Sequence, residues 1–331
     1  MGANVSQRPI ALALVGCGAV TERFHVPALR RLDDIEVRAV VDVDAARRQR
    51  LCRHFRRAKV CVSVSELPGG IEAALVAVPN ALHAPVAVEL LRRRIHVLCE
   101  KPMATTVEGC ERMLEAATET GAVLSVGHHK RFLPNVREAK QLLEEERLGR
   151  VRTVTASMGM PWTWRSRSGF YSDYARAGGG VLLDNGIHLI DLALWLLGPV
   201  RDLRYYAAPA GQPIEAEAKL EVWMASGATG VLRCSHRRRL PNVFRVEGEK
   251  GFLEFDTYDY PVLNVFVAGT ALAEARGSVA LTWPRSDPFR EQLQQFARHL
   301  RGHETDGAKA EAAMEAVRVV TTAYASRTGS A

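Results

Sequence analysis

Asp184, His188 and Asp191 fall four and three residues apart inside an apolar run from Val181 to Leu197. On a helix those offsets share a face. Ionisable groups on a buried-looking helix are costly unless they are paired or used. The stripe is therefore a candidate for chemistry, with a satisfied polar network or a helix anchor as the plain alternative. A second candidate is Glu100-Lys101-Pro102, which closes the apolar strand pattern His96–Cys99. Pro102 ends the strand and shapes the turn, so Lys101 projects from the strand's carboxyl end. Histidine titrates near neutral pH and suits a base beside a hydroxyl. A lysine ammonium beside the same oxygen stabilises alkoxide character. The pair fits oxidation of a secondary alcohol, with Asp184 able to bind a neighbouring hydroxyl of a sugar-like substrate. A zinc site competes, but two Asp and one His with no second His or Cys nearby is weak ligand spacing, and no metal is expected.

Such chemistry needs a hydride carrier, and the opening of the chain supplies a place for one. Gly16-Cys17-Gly18 directly follows the apolar run Ile10–Val15 and precedes a helical pattern. That is the context of a dinucleotide-binding turn, in which glycines allow the backbone to approach a pyrophosphate at a helix N-terminus. Ala19 and Val20 continue the turn; Thr21 stands where a third glycine is usual. Asp42 ends the next strand pattern, Glu36–Val41, and is placed to bind the hydroxyls of an adenosine ribose. Its charge repels a 2′-phosphate, which favours NAD over NADP. Arg47 and Arg48 weaken that preference, because an arginine nearby can accept the phosphate and leaves NADP possible.

The elements that must carry these residues follow from patterning. Short apolar runs alternate with helical ones up to about Val126, which predicts βαβ units and a parallel sheet whose carboxyl ends collect ligands. After about Gly149 the pattern changes. A strand over Val151–Met158, the apolar helix, alternating strands such as Ala218–Trp223 and Gly230–Ser235, and closing helices over Phe289–Leu300 and Lys309–Ala325 predict an α+β unit with a largely antiparallel sheet. Gly248-Glu249-Lys250-Gly251 is expected to be a hairpin turn. The fold class is thus α/β, with an N-terminal dinucleotide-binding domain at 1–127 and an α+β domain for substrate binding and oligomerisation at 128–331.

The chain has 331 residues, with 47% hydrophobic and 24% charged residues, an ordinary globular balance. The formal charge of +7 is mostly scattered arginine, with runs at 92–94 and 237–239. These runs are expected to be solvated, with an anionic ligand as the sharper reading. No nucleic-acid-binding motif is visible. The six cysteines lack C-x-x-C spacing and read as free thiols in a reducing, cytoplasmic setting. No signal peptide is seen. The run Val181–Leu197 carries Asp184, His188 and Asp191, which argues against a membrane span.

Taken together, the motifs resemble the glucose–fructose oxidoreductase / inositol dehydrogenase (Gfo/Idh/MocA) family. The likeness rests on Gly16-Cys17-Gly18-Ala19 with His25, Val78-Pro79-Asn80 with His83, Glu100-Lys101-Pro102, and Gly178-Gly179-Gly180 through Asp184, Gly186, His188 and Asp191. Gly248 to Gly251 and the Ala323-Tyr324-Ala325-Ser326 ending are similar too. The resemblance implies a Rossmann domain followed by a domain with a large open sheet that pairs subunits into homodimers or homotetramers. It implies catalytic roles for Lys101, Asp184 and His188. Cofactor contacts at Pro79, Asn80, His83, Glu100 and Lys101 then join those at Gly16, Gly18, Ala19, Val20 and Asp42. Many members carry Asn-Arg-Arg-Phe where this chain has His129-Lys130-Arg131-Phe132. That stretch usually faces substrate, so Arg131 is expected there. Trp162, Trp164 and Arg165 lie in another variable substrate-facing stretch, where they either stack on and bind a sugar or simply close a loop. The expected activity is reversible, NAD(P)-dependent oxidation of a secondary alcohol on a sugar, inositol or sugar nucleotide. The alternatives are a redox-neutral NAD-dependent glycosidase and a non-catalytic, cofactor-sensing regulator of the same fold.

Overall fold

The computed structural model describes residues 8–161, 169–208, 214–258, 261–269, 277–303 and 309–326. The first half forms a parallel sheet of β1 (Ile10–Val15), β2 (Ile35–Val41), β3 (Lys59–Cys61), β4 (Ala73–Val76), β5 (His96–Glu100) and β6 (Leu124–Gly127). Their order is β3-β2-β1-β4-β5-β6. Every residue of β1 and β4 is buried, as expected for parallel strands covered on both faces. The order reverses between β1 and β4, which opens a crevice beyond their carboxyl ends. Helices His83–Arg92 and Val107–Thr120 pack on one face. Thr106 caps the second of these by accepting from the Gly109 amide at 3.1 Å. The other face is covered partly from far along the chain. Phe289, Leu293, Phe296 and Ala297 of helix Pro288–Leu300 pack there with Leu12, Leu14 and Leu29.

The second sheet has eight strands: β7 (Val151–Gly159), β8 (Val200–Ala208), β9 (Glu217–Met224), β10 (Thr229–Ser235), β11 (Leu240–Gly248), β12 (Gly251–Asp256), β13 (Val262–Val267) and β14 (Val279–Thr282). The order is β14-β13-β12-β11-β7-β10-β9-β8, with β7 and β10 parallel and the other neighbours antiparallel. Gly248 pairs with Gly251 across the expected hairpin turn. Period-2 alternation is clean in β9, where Ala218, Leu220, Val222 and Met224 are buried and their neighbours are half-exposed. The inner face packs against helices Ile187–Leu197 and Ala310–Ala325, and one continuous core joins both sheets. The stretch Tyr174–Leu197 is apolar and long enough to span a membrane, but 72% of its most apolar window is buried inside the protein. Its composition is accounted for by its place in that core.

Three elements differ from the sequence expectation. The helix after the glycine turn is short: a π-helical turn, Thr21–His25, followed by Val26–Leu29 with Pro27 in its first turn. The apolar helix likewise begins with a π-helical turn, Leu182–Gly186, before the regular Ile187–Leu197. Wider turns of this kind recur at functional sites because they re-aim side chains. Helix Pro134–Glu144, unassigned from sequence, buries Val136 and Ala139.

Candidate active site

The glycine turn is built for a close approach. Gly16 has φ +97°, and a Cβ on it would lie 2.3 Å from the Ala77 carbonyl oxygen, so only glycine fits. A Cβ on Gly18 would meet nothing within 4 Å, so the backbone there borders open space. Thr21 closes the turn in place of a third glycine, its hydroxyl donating to the Gly16 carbonyl at 2.6 Å. Asp42 accepts from the Cys17 amide through Oδ2 and from the Asp44 amide through Oδ1, both at 2.8 Å. Arg47 lies 3.9 Å from Asp42 and 3.6 Å from Asp44, and Arg48 donates to the Asp42 carbonyl. A cavity of about 420 Å³ runs past Gly16, Gly18, Asp42, Asn80, Glu100 and Lys101. Ala19, Val20, Pro79 and His83 border it as well. The ring nitrogens of His83 are 2.7 Å from the Pro102 carbonyl oxygen and 2.9 Å from that of Val78, so its polar atoms tie two strand-end turns together. Asn80 reaches the other way, donating to the Ala177 carbonyl at 2.9 Å. A glycine cradle opening on space, with a carboxylate at the next strand end, fits a dinucleotide.

Glu100 and Lys101 also border a second cavity of about 690 Å³. There Lys101 Nζ donates to Asp184 Oδ1 at 2.8 Å and to the Asp184 carbonyl at 2.9 Å. His236 Nε2 stands 3.2 Å from the other carboxylate oxygen of Asp184. Burial alone would raise the Asp184 carboxyl, but Lys101 and the hydrogen bond to His236 outweigh it and hold the group well below the usual carboxylate range. His188 borders the same cavity. Burial first, then the charges of Lys101 and Lys130, push its imidazole well below its ordinary value. Its ring stands edge-on to His129 at 5.1 Å; His129 stacks on Phe289 at 4.4 Å, and Phe289 on Phe24 at 4.7 Å. Behind the lysine, Glu100 Oε1 is 2.7 Å from His25 Nε2, and Glu100 Oε2 accepts from the Lys101 amide at 3.2 Å. Burial raises the Glu100 carboxyl, but the His25 bond and nearby cationic charge turn the balance downward. Both π-helical turns therefore deliver site residues: one presents His25 to Glu100, the other Asp184 to Lys101.

Two family models match the chain and together cover more than half of it. The Oxidoreductase family, NAD-binding Rossmann fold, matches residues 10–128, and the GFO/IDH/MocA C-terminal domain matches residues 136–254. The chain belongs to the Gfo/Idh/MocA oxidoreductase family. Among its curated relatives, D-glucoside 3-dehydrogenase of Escherichia coli is 29% identical over 204 residues, covering 60% of this chain and 57% of that protein. The NADP(+)-dependent scyllo-inositol 2-dehydrogenase of Bacillus subtilis is 28% identical over 258 residues, covering 76% and 77%. Among solved structures, aldose-aldose oxidoreductase from Caulobacter crescentus, complexed with glycerol, superposes with a TM-score of 0.84 at 24% identity, covering 97% of this chain and 98% of that one. The WlbA dehydrogenase of Bordetella pertussis, in complex with NADH and UDP-GlcNAcA, gives 0.84 at 22% identity, covering 98% and 96%. These two likenesses speak to the fold.

Within this Gfo/Idh/MocA chain, one expected substrate contact is corrected. Arg131 does not border the cavity; it is 4% exposed, and its Nε donates to Asp191 Oδ2 at 3.0 Å while Nη2 takes the other oxygen. His128 Nδ1 adds a contact to Asp191 at 3.4 Å, and burial above all pushes its imidazole down to about 4. The guanidinium also lies 5.5 Å over the Trp195 ring. The helical turn His129–Phe132 explains the difference, because it sends Arg131 inward and leaves His129 and Lys130 on the cavity wall. Asp191 is likewise removed from the cavity, one turn further along its helix than His188. Trp162, Trp164 and Arg165 lie outside the described residues. Sequence reading missed His236, Tyr171 and Tyr258, which border the cavity. Only the fold brings them there; a lone histidine after β10 carries no local signal. Among the described residues no group of three or more metal-ligating side chains converges.

Proposed function

We propose that the chain transfers a hydride reversibly between a bound nicotinamide and a secondary alcohol or ketone carbon of a sugar, inositol or sugar nucleotide. The observation that carries this reading is the Lys101–Asp184 ion pair beside His188, on the wall of a cavity that shares Glu100 and Lys101 with the nucleotide groove. Gly16, Gly18, Ala19, Val20 and Asn80 would hold the dinucleotide, and Asp42 its adenosine ribose. The nicotinamide supplies the hydride acceptor or donor. Lys101, anchored by two Asp184 oxygens, presents its ammonium to the substrate oxygen and stabilises its alkoxide character. His188, kept neutral by burial and nearby cations, takes the hydroxyl proton in oxidation and returns it in reduction. Asp184 stays ionised, holds the Lys101 side chain in place, and accepts from a neighbouring hydroxyl. Phe24 and Phe289 form an apolar wall that keeps water from the reacting carbon.

Asp42 supports NAD over NADP, and Arg47 is held near Asp42 and Asp44 instead of standing alone as a phosphate receptor. Placement in the cytoplasm, a domain division after residue 127, and a homodimer or homotetramer through the open face of the second sheet complete the reading. Both curated relatives named above are dehydrogenases, which leaves the redox-neutral glycosidase and the regulator without support. A spectrophotometric screen of sugars, inositols and sugar nucleotides with NAD and NADP tests enzyme status, cofactor and substrate class together. Lys101→Ala and His188→Ala should each abolish most turnover; full turnover in both would sink the mechanism.

A further inference from the structure

Gly179 and Gly180 precede the π-helical turn that carries Asp184, and both are pressed against residues from distant parts of the chain. A Cβ on Gly179 would lie 2.4 Å from the Tyr324 hydroxyl, and one on Gly180 2.2 Å from the Glu215 carbonyl oxygen. Glu215 stands just before β9 and is fully buried. Its Oε1 accepts from the Leu182 amide at 2.9 Å and from the Tyr324 hydroxyl at 3.0 Å. Its backbone carbonyl accepts from the Val181 amide at 2.9 Å. The Tyr324 oxygen in turn accepts from the Gly180 amide at 3.2 Å. Three successive amides at the start of the helical run, which have no partner within a helix, are thus all taken by Glu215 and Tyr324.

The next link reaches the chemistry. The Asp184 amide bonds back to the Gly180 carbonyl at 3.1 Å, so the turn bearing the carboxylate springs from the held residue. Lys101 donates to the Asp184 backbone carbonyl as well as to its side chain. A shift of this backbone therefore moves both acceptors of the ammonium at once. We propose that Glu215 and Tyr324 are positioning residues for the Lys101–Asp184 pair, acting by fixing the backbone from Gly180 to Asp184. This rests on the reading of Lys101 and Asp184 as reacting groups. It also gives the Tyr324 ending and the glycine run a shared purpose.

The test uses the full chain with NAD and two conservative changes. Tyr324→Phe keeps the ring and removes the hydroxyl; Glu215→Gln keeps an oxygen able to accept both bonds. Amide hydrogen exchange is followed across 180–188, and turnover is followed by nicotinamide absorbance with scyllo-inositol, D-glucose or UDP-glucose. Tyr324→Phe should speed exchange in that segment and lower kcat on the order of tenfold, as small misplacements of reacting groups do, with the KM for NAD unchanged. Glu215→Gln should stay near the parent in both readouts. In an Asp184→Asn background the Tyr324→Phe loss should vanish, because the group being positioned is already gone. Unchanged exchange across 180–188, or an equal loss of kcat in both backgrounds, would overturn the proposal. Full kcat in Asp184→Asn alone would overturn the underlying reading instead, and needs no change at Tyr324 to be seen.

Discussion

Asp184 and Asp191 lie on one helical run, and each is paired with a cation, yet the two pairs do different work. Lys101–Asp184 keeps side-chain exposures of 15% and 13%; both residues border the larger cavity, and Lys101 also borders the nucleotide groove. Arg131–Asp191 is sealed at 4% and 2%, with His128 against it. A lysine ammonium carries three donors, so with two spent on Asp184 it can still turn one to a substrate oxygen. An arginine fork that spends two donors on one carboxylate is committed to it. The first pair is exposed enough to meet a ligand, and the second ties the turn after β6 to the helix that carries His188. A polar stripe on a helix therefore contains both a reactive group and an anchor, distinguished by which partner each meets.

The sharpest way to break this contrast is to remove one cation from each pair. Arg131→Met leaves the Asp191 charge buried and should cost roughly 3–5 kcal/mol of stability, as loss of one partner of a buried pair does. Urea unfolding measures it, and a loss below 1 kcal/mol would deny the anchor. Lys101→Met should instead lower kcat by roughly 10²–10³-fold, the range for removing a group that stabilises developing negative charge. Its urea midpoint should move less than that of Arg131→Met.

Acidity separates the regions further. His128 titrates near 6.5 when unfolded, but burial pushes it to about 4 in the fold. Between those values the unfolded chain binds more protons, so stability rises with pH. The contribution is complete above 6.5 and is lost as pH falls toward 4. His128→Asn should flatten that part of a urea-midpoint profile. At the other end, His188 is held well below its ordinary value, so the oxidation rate should stay level as pH falls from 8 to 6.5. A rate that follows a group of pKa near 7 would remove His188 as the neutral base. The smallest effect is expected in the nucleotide groove. Asp42→Ala should raise the KM for NAD about tenfold, the scale of one charged hydrogen bond, with less change for NADP.

Much of this was legible locally. The glycine turn, Asp42 at the end of β2, Glu100-Lys101-Pro102 at the end of β5 and the helix bearing Asp184 and His188 each follow from short-range patterns. Strand and helix periods and the punctuation of glycine and proline are properties of a few consecutive residues. The alternation of strand and helix likewise sets the parallel sheet and the crevice at its carboxyl ends. What the sequence could not decide is which polar side chains meet. The π-helical turn Leu182–Gly186 departs from the regular 3.6-residue period on which the shared face of Asp184, His188 and Asp191 was inferred. The inward turn of Arg131, the arrival of His236 from β10, and the packing of Phe289 against His129 join residues far apart in the chain. Those contacts depend on how two sheets and the helices Pro288–Leu300 and Ala310–Ala325 close around one core, and no local pattern encodes that closure.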